Sequence, residues 1–315
     1  MSKITIIGTG SVGSTIAYTL AVAGIANEIV MIDLNTEKAL GEALDIRQGI
    51  PFCAPCSIYA GDYRDAVNSD IVVLTSGVAR KPGQSRLDLA QINVNITKSI
   101  IPEITRYAPN AKYVIVSNPV DILTYTFCKC SGLPEKQIIG SGTILDTARL
   151  RARLSEYYQI NQQNVHAYIM GEHGDSAFVP WSIANISNVP VDEYSKYLSN
   201  TDDMMMPPLN HAEIENYVRK SGARVIARKG ATFYAVSVSV CHICKALLGA
   251  IDTTMTVSTM MHGEYGIDDV CLSVLNIVGR DGAEGKVIVP LTDEEVALLN
   301  KSAESLKEVI RSLEI

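Results

Sequence analysis

The chain is 315 residues long, with 47% apolar and 19% charged residues, 22 Gly and 12 Pro. That length accommodates two domains or one large one, and such a chain buries roughly 75% of its unfolded surface without disulfide or metal staples. Thirty-four acidic against 27 basic residues give a net charge of −7, so the basic footprint that duplex nucleic acid or an anionic membrane demands is missing. No apolar run approaches the roughly 18 residues that span a bilayer. Met1-Ser2-Lys3-Ile4-Thr5 enters a strand at once, which predicts no signal peptide. Seven Cys, an odd number, predict free thiols and a reducing cytoplasmic setting.

Residues 1–142 alternate strand and helix patterns. Ile4–Gly8 and Glu28–Asp33 are short β-branched runs, and Asp70–Ser76 and Lys112–Ser117 are near-continuously apolar. Strands buried on both faces read this way. Helical patterns lie between them at Val12–Ala23, Glu37–Gln48, Leu87–Tyr107 and Asp121–Ser131. Repeated β-then-α units predict an α/β fold, a doubly wound parallel sheet of the Rossmann type. The rhythm changes over residues 143–315. Asp146–Tyr158, Glu213–Arg228 and Ala235–Leu248 read as helices, Val165–Met170 as an apolar strand, and Thr253–Met261 with Val270–Val278 as an antiparallel pair. Glu294–Leu313 closes the chain as an amphipathic helix. The expectation is a second, α+β domain. Asp202–Pro208, with three consecutive Met, reads as an exposed loop.

Gly8-Thr9-Gly10-Ser11-Val12-Gly13 is G-x-G-x-x-G. Alone the string is weak. Here it follows a strand, opens a helix, and is followed by Asp33 at the end of the next strand, the context of a dinucleotide site. Gly8 permits the tight turn, Gly10 lets a pyrophosphate approach the backbone, and Gly13 lets helix and strand pack closely. The helix N-terminus offers free N–H groups and a positive dipole end to the anion. Asp33 would accept hydrogen bonds from ribose hydroxyls and repel a 2′-phosphate, which favours NAD over NADP.

Five His are present, at 166, 173, 211, 242 and 262. Any one taken alone reads as structural. Only His173, in Gly171-Glu172-His173-Gly174-Asp175, sits in a segment built for chemistry, and imidazole is the side chain suited to proton transfer near neutrality. Asp146 and Arg149, three apart on a helix, share a face. They make either a plain surface ion pair, or a pair that orients an imidazole and clamps a substrate carboxylate. Ser76–Leu89 follows a buried strand at the carboxyl edge of the sheet and carries Arg80, Lys81 and Arg86 around Pro82-Gly83. It is either a solvated basic turn or a mobile lid that brings Arg groups onto an anionic substrate.

Taken together, G-T-G-S-V-G, T-S-G-V-A-R-K-P-G-Q-S-R, V-S-N-P-V-D, G-S-G-T-I-L-D-T-A-R and G-E-H-G-D, in this order over nearly the whole chain, closely resemble the L-lactate/L-malate dehydrogenase family. The resemblance implies roles by position. His173 is the proton donor–acceptor and Asp146 the carboxylate that orients it. Arg149 is the two-pronged fork for the substrate α-carboxylate, and Arg86 polarises the reacting carbonyl. Asn118 bonds substrate and positions the nicotinamide end, and Thr232 lines the pocket. Gly8, Gly10, Val12, Gly13, Asp33, Thr75, Gly77, Ser117 and Asn118 contact the NAD cofactor. A homotetramer is the family expectation.

Arg80 stands where lactate enzymes of the family carry Gln and malate enzymes carry Arg. A charged hydrogen bond contributes roughly 1.5–3 kcal/mol, and an unmatched buried charge costs as much or more. The charge argument therefore favours oxaloacetate/L-malate, with pyruvate/L-lactate as the alternative supported by V-S-N-P-V-D, G-S-G-T-I-L-D-T-A-R, Leu87 and Thr232. Arg151 and His166 match positions that bind fructose 1,6-bisphosphate between subunits in regulated bacterial lactate enzymes; equally, both simply pair with surface carboxylates. Cys53-x-x-Cys56 and Cys241-x-x-Cys244 have zinc spacing, but the second pair lies in an apolar helical run and reads as buried hydrophobes, so no metal is expected. The reading from another class, a catalytically silent dinucleotide sensor, leaves His173, Asp146, Arg149 and Arg86 without a purpose.

Overall fold

Side chains on a strand alternate faces, and this chain uses both faces of nearly every central strand. A computed structural model describes residues 2–78, 85–198 and 209–315, and of Arg86 the backbone alone. The basic segment with Arg80 and Lys81 and the Met-rich loop lie outside the described residues. Six parallel strands run β1 (Lys3–Ile7), β2 (Glu28–Ile32), β3 (Ser57–Ala60), β4 (Ile71–Leu74), β5 (Lys112–Ile115) and β6 (Ile138–Gly140). Their spatial order is β3-β2-β1-β4-β5-β6. Ile4, Ile6, Ile29, Met31, Ile71, Val73 and Val114 point to one face, against Ile16, Ala17 and Leu20 of α1 (Ser11–Val22). Ile7, Val72, Leu74, Tyr113 and Ile115 point to the other. There they meet Val94 and Ile104 of α3 (Arg86–Tyr107) and Leu123 and Phe127 of α4 (Val120–Cys130). Between β2 and β3 runs α2 (Thr36–Gly49), capped by the Asn35 side chain accepting from Lys38 N.

The α+β half begins with α5 (Ile144–Tyr158) and a small sheet of β7 (Val165–His166), β8 (Asn185–Ile186) and β9 (Val189–Pro190). Then come α6 (His211–Arg219), α7 (Ser221–Lys229), α8 (Tyr234–Leu247), β10 (Thr253–His262), β11 (Asp268–Gly279), β12 (Gly282–Lys286) and α9 (Asp293–Arg311). The expected antiparallel pair is present, in register Thr253 with Val278 through Met260 with Cys271. It does not stand apart. β10 joins β6 through Ser258 and Gly140, so one nine-stranded sheet runs β12-β11-β10-β6-β5-β4-β1-β2-β3 across both halves.

Three expectations are corrected. The helix expected over Glu213–Arg228 is two helices, which meet at Lys220. The strand expected over Val165–Met170 pairs only at its ends: Val165–His166 join the small sheet, and Met170 and Gly171 bridge to Phe178 and Ser273. The strands β3, β6 and β12, with sequences Ser-Ile-Tyr-Ala, Ile-Ile-Gly and Gly-Ala-Glu-Gly-Lys, lack the apolar runs that mark β4 and β5, and sequence reading passed over them.

The doubly wound order brings the carboxyl ends of the parallel strands to one edge, where such sheets bind ligands. Gly8 follows β1, Asp33 follows β2, Thr75–Gly77 follow β4 and Ser117–Asn118 follow β5. The glycine turn is tight against this edge. Gly8 has φ +99°, and a Cβ on Gly13 would overlap the Gly8 carbonyl oxygen. Overpacking at such a point costs typically 1–3 kcal/mol. Gly13→Ala is expected to lose about 1–3 kcal/mol of folding stability, read from urea unfolding midpoints; an unchanged midpoint would mean the turn relaxes freely.

Candidate active site

The first part of the site is an anion cradle. Gly10 precedes α1 with no side-chain cap, leaving first-turn N–H groups for an external acceptor. A Cβ on Gly10 would meet no atom within 4 Å, so the space in front of it is open. Thr75 Oγ1 donates to the Gly8 carbonyl at 2.8 Å, bracing the turn from β4. Ser117 Oγ donates to the Ser76 carbonyl at 2.6 Å, tying the end of β5 to the end of β4. These two expected cofactor residues therefore hold the walls of the cleft. Val12 packs into the core behind α1, and Gly77 lies against Asn93.

Asp33 closes the cradle. Its Oδ2 accepts from Thr9 N at 2.6 Å and from Thr9 Oγ1 at 3.1 Å, while Oδ1 accepts from Asn35 N at 2.9 Å. Burial pushes its pKa up, but the Thr9 and Asn35 N–H bonds outweigh that and hold the carboxyl below its ordinary value. A carboxylate has about four acceptor positions, so Oδ1 retains capacity for a ribose hydroxyl. The fixed negative charge opposes a phosphate at the same place. The cradle thus fits a dinucleotide without a 2′-phosphate. Asp33→Ser is expected to weaken NADH binding and narrow the preference over NADPH, measured as dissociation constants by nucleotide fluorescence. Equal affinity of the unmodified protein for both nucleotides would remove the ribose assignment.

The second part is a candidate acid–base centre. His173 Nδ1 lies 2.6 Å from Asp146 Oδ2, and Arg149 Nη1 donates to Asp146 Oδ1 at 2.9 Å. The i,i+3 spacing on α5 that left two readings open resolves here into one carboxylate shared by an imidazole and a guanidinium. Asp146 is buried, with side-chain exposure of 12%. Burial pushes its pKa up, yet the charge and hydrogen bond of His173 and the Arg149 pair outweigh it and hold the carboxyl low. An ionised carboxylate only accepts, so Nδ1 carries the proton and Nε2 is the nitrogen left for exchange. Burial also works against the imidazolium, but the Asp146 charge and hydrogen bond, with the Asp121 charge, more than offset it and raise the His173 pKa despite Arg149 nearby.

The loop carrying His173 is fastened at several points. Met170 and Phe178 exchange backbone hydrogen bonds of 3.0 and 3.1 Å, and Gly171 and Ser273 do so at 2.9 and 3.1 Å. Glu172 N donates to Ser302 Oγ of α9 at 2.7 Å, and His173 N to Asp121 Oδ2 of α4 at 2.7 Å. Gly171 has φ +96° and a Cβ there would press on Ser302, so this position needs glycine. Asp121, Ser302 and Asn93 escaped sequence reading. Asn93 Nδ2 donates to the Asn118 carbonyl at 2.7 Å, and its Oδ1 accepts from Val78 N at 2.9 Å, joining the ends of β4 and β5 at the cleft. Asp121, between Val120 and Ile122, and Asn93, between Ile92 and Val94, are polar residues flanked by apolar ones; Ser302, in Asn300-Lys301-Ser302-Ala303-Glu304, carries no such signal.

Two cavities meet at Arg149. One, of about 170 Å³, is walled by Asp146, Arg149 and His173 with Phe178, Val218, Glu215 and Arg219. The other, of about 470 Å³, is walled by Arg149, Arg153, Tyr217, Arg224, Arg228 and Thr232. Thr232 thus lines the same cavity as Arg149, while His173 lines the other. Asn118 is exposed at the end of β5. Arg80 and the Arg86 side chain lie outside the described residues. Arg151 is turned onto its own chain: its Nε donates to the Ala167 carbonyl at 3.0 Å and its guanidinium lies over the Tyr168 ring. His166 is exposed on β7, and within one chain the two do not share a cavity. All seven cysteines are free thiols. Among the described residues no cluster of His, Cys, Asp and Glu could hold a metal, and no helix is long and apolar enough to cross a membrane.

Comparison with known proteins agrees with this geometry. Residues 2–140 match the family model for the lactate/malate dehydrogenase NAD binding domain, and residues 143–314 that for the lactate/malate dehydrogenase alpha/beta C-terminal domain. The chain is 45% identical to an L-lactate dehydrogenase of Acetivibrio thermocellus over 100% of its own length and 98% of that protein. It is 46% identical to an L-lactate dehydrogenase of Thermoanaerobacter pseudethanolicus over the full length of both. Among solved structures, the minor L-lactate dehydrogenase of Enterococcus mundtii superposes with a TM-score of 0.94 at 37% identity, covering 100% of this chain and 99% of that one. With its cofactor cradle built for NAD, the chain belongs to the lactate/malate dehydrogenase family.

Proposed function

We propose that the chain is an NAD-dependent L-lactate dehydrogenase, interconverting pyruvate and L-lactate. The observation that carries the reaction class is the buried His173–Asp146–Arg149 constellation beside a cleft that fits NAD. NAD, when bound, supplies or accepts the hydride at the substrate carbon. The chain's own groups do the rest. Arg149 pairs with the substrate carboxylate as a fork, which fixes the orientation of the acid. His173 delivers a proton from Nε2 to the carbonyl oxygen in reduction and takes it back in oxidation. Asp146 stabilises the imidazolium while it is charged. Arg86, by the family resemblance, polarises the carbonyl, and Asn118 and Thr232 border the acid.

The choice of acid reverses the preference drawn from Arg80. The charge argument for oxaloacetate requires Arg80 to face a second carboxylate in the closed site, and Arg80 lies outside the described residues. Full-length relatives at 45–46% identity are L-lactate dehydrogenases, which supports pyruvate. Oxaloacetate/L-malate stays as a second reading on the identity of Arg80 alone. Exposed Leu40 and Leu44 on α2, with Tyr234 and Val238 on α8, provide apolar faces for the self-association expected of the family. Activation by fructose 1,6-bisphosphate at Arg151 and His166 stays a proposal about the assembled oligomer, to be read as a loss of sigmoidicity in pyruvate saturation curves when the bisphosphate is added.

The deciding measurement is kcat/KM for pyruvate against oxaloacetate with NADH. Pyruvate is expected to be favoured by at least about tenfold, equivalent to about 1.4 kcal/mol. A preference for oxaloacetate, with Arg80→Gln costing that substrate about 2–4 kcal/mol, would establish the malate reading instead. His173→Asn is expected to bind NADH normally by fluorescence titration and to lose at least about 10²-fold in kcat, the low end of general acid–base contributions. Near-normal turnover would sink the assignment of His173.

A further inference from the structure

Behind His173 lies a carboxylate that the mechanism has not used. Asp121 sits in the first turn of α4, three residues after Asn118, and is 3% exposed. Both of its oxygens are engaged. Oδ2 accepts from His173 N at 2.7 Å, and Oδ1 accepts from Ser258 Oγ of β10 at 2.6 Å. Ser258 is itself fully buried, on the strand residue that bridges to Gly140 where the two halves of the sheet join. His173 is therefore held by two acids on two different helices, its ring Nδ1 by Asp146 and its backbone N–H by Asp121.

We infer that Asp121 is a positioning residue of the acid–base centre: it fixes the His173 loop through the backbone N–H, and its negative charge sustains the protonated imidazole that reduction consumes. This rests on His173 as the proton donor and is indifferent to which 2-oxo acid is reduced.

The charges around the pair decide the sign. From α5, Asp146 favours the imidazolium and Arg149 opposes it. From the loop itself, Glu172 opposes ionisation of Asp121. From α6, Glu215 and Arg219 line the cavity that His173 faces. From β11 comes only the Cys271 thiol, kept neutral by burial. Burial pushes the Asp121 pKa up to about 6, against the pull of the Ser258 and His173 bonds and the His173 charge. Both Asp121 oxygens accept hydrogen bonds, as an ionised carboxylate does, and that charge adds to the charge of Asp146 in raising the imidazole pKa. Its removal lowers that pKa. Proton donation then fails at a lower pH, while oxidation, which needs the neutral imidazole, extends to lower pH.

The experiment measures kcat/KM for oxo-acid reduction and for hydroxy-acid oxidation as a function of pH in Asp121→Asn, Ser258→Ala and the unmodified enzyme. Asn keeps an acceptor for His173 N and removes the charge. The alkaline fall of reduction is expected to move to lower pH, with activity above the original midpoint reduced about tenfold for each unit of displacement, and the limb for oxidation is expected to move with it. Ser258→Ala, which removes one of the two bonds that favour the carboxylate, should move both limbs the same way by less. Thermal unfolding identifies any variant that does not fold, in which case the other decides. Unmoved limbs in a folded variant, whatever the drop in kcat, would overturn the charge role and leave Asp121 as a plain structural acceptor. His173→Asn is the control. If its residual activity keeps the unmodified pH midpoint, the proton-donor assignment fails; if the transition disappears there while Asp121→Asn leaves it in place, only the inference about Asp121 fails.

Discussion

The site depends on one buried carboxylate being held charged. Asp146 sits away from water between a cationic fork and an imidazole, and an unpaired carboxylate in that place would be strongly destabilising. Both of its oxygens are taken, one by each partner. Its place in the first turn of α5 adds the favourable end of the helix dipole. The arrangement sets the imidazole tautomer, its orientation and its basicity in a single contact. It also fixes Arg149 at a set distance from His173, the geometry that the proposed grip on a substrate carboxylate requires.

The rest of the fold serves to bring helices and loops to that point. Parallel strands end at a common edge, and five of the six ends contribute something: the glycine turn after β1, Asp33 after β2, the braces Thr75 and Ser117 after β4 and β5, and the start of α5 after β6. The antiparallel half is hydrogen-bonded onto the same sheet, so the His173 loop, clamped to Ser273 of β11, is referenced to the same frame as the cofactor cradle. One sheet therefore sets the spacing between the cofactor cradle and His173, which the proposed reaction requires to serve one substrate.

The parts of this arrangement legible in the sequence were those with local periodicity or local spacing. The glycine turn with Asp33 could be read because both elements sit at strand ends with strong apolar runs before them. Asp146 and Arg149 could be placed on one helix face, though not shown to share a partner. What stayed hidden was set by long-range packing. Asp121 meets His173 only because α4 and the loop pack together 52 positions apart. The four-residue strand at Ser57–Ala60 is defined by its neighbour Glu28–Met31, not by its own pattern. Arg151 is turned onto Ala167 and Tyr168 by burial that no spacing rule foretells. The substrate preference drawn from Arg80 leaned on a single charge, while the similarity that bears on it is spread over the whole length of the chain.

The fastening of the His173 loop to Ser302 has a bearing on how the enzyme comes into being. The two bonded residues are separated by 130 positions, and Ser302 lies on the helix that ends the chain. During synthesis the nucleotide-binding strands and helices can collapse while the ribosome is still adding residues. The loop that carries His173 cannot be secured until α9 has emerged and docked through Leu299, Ala303 and Leu306. A nascent chain would therefore form its nucleotide-binding strands and helices before the His173 loop takes its final place. Contacts of such long sequence separation are the last to be rewarded in folding.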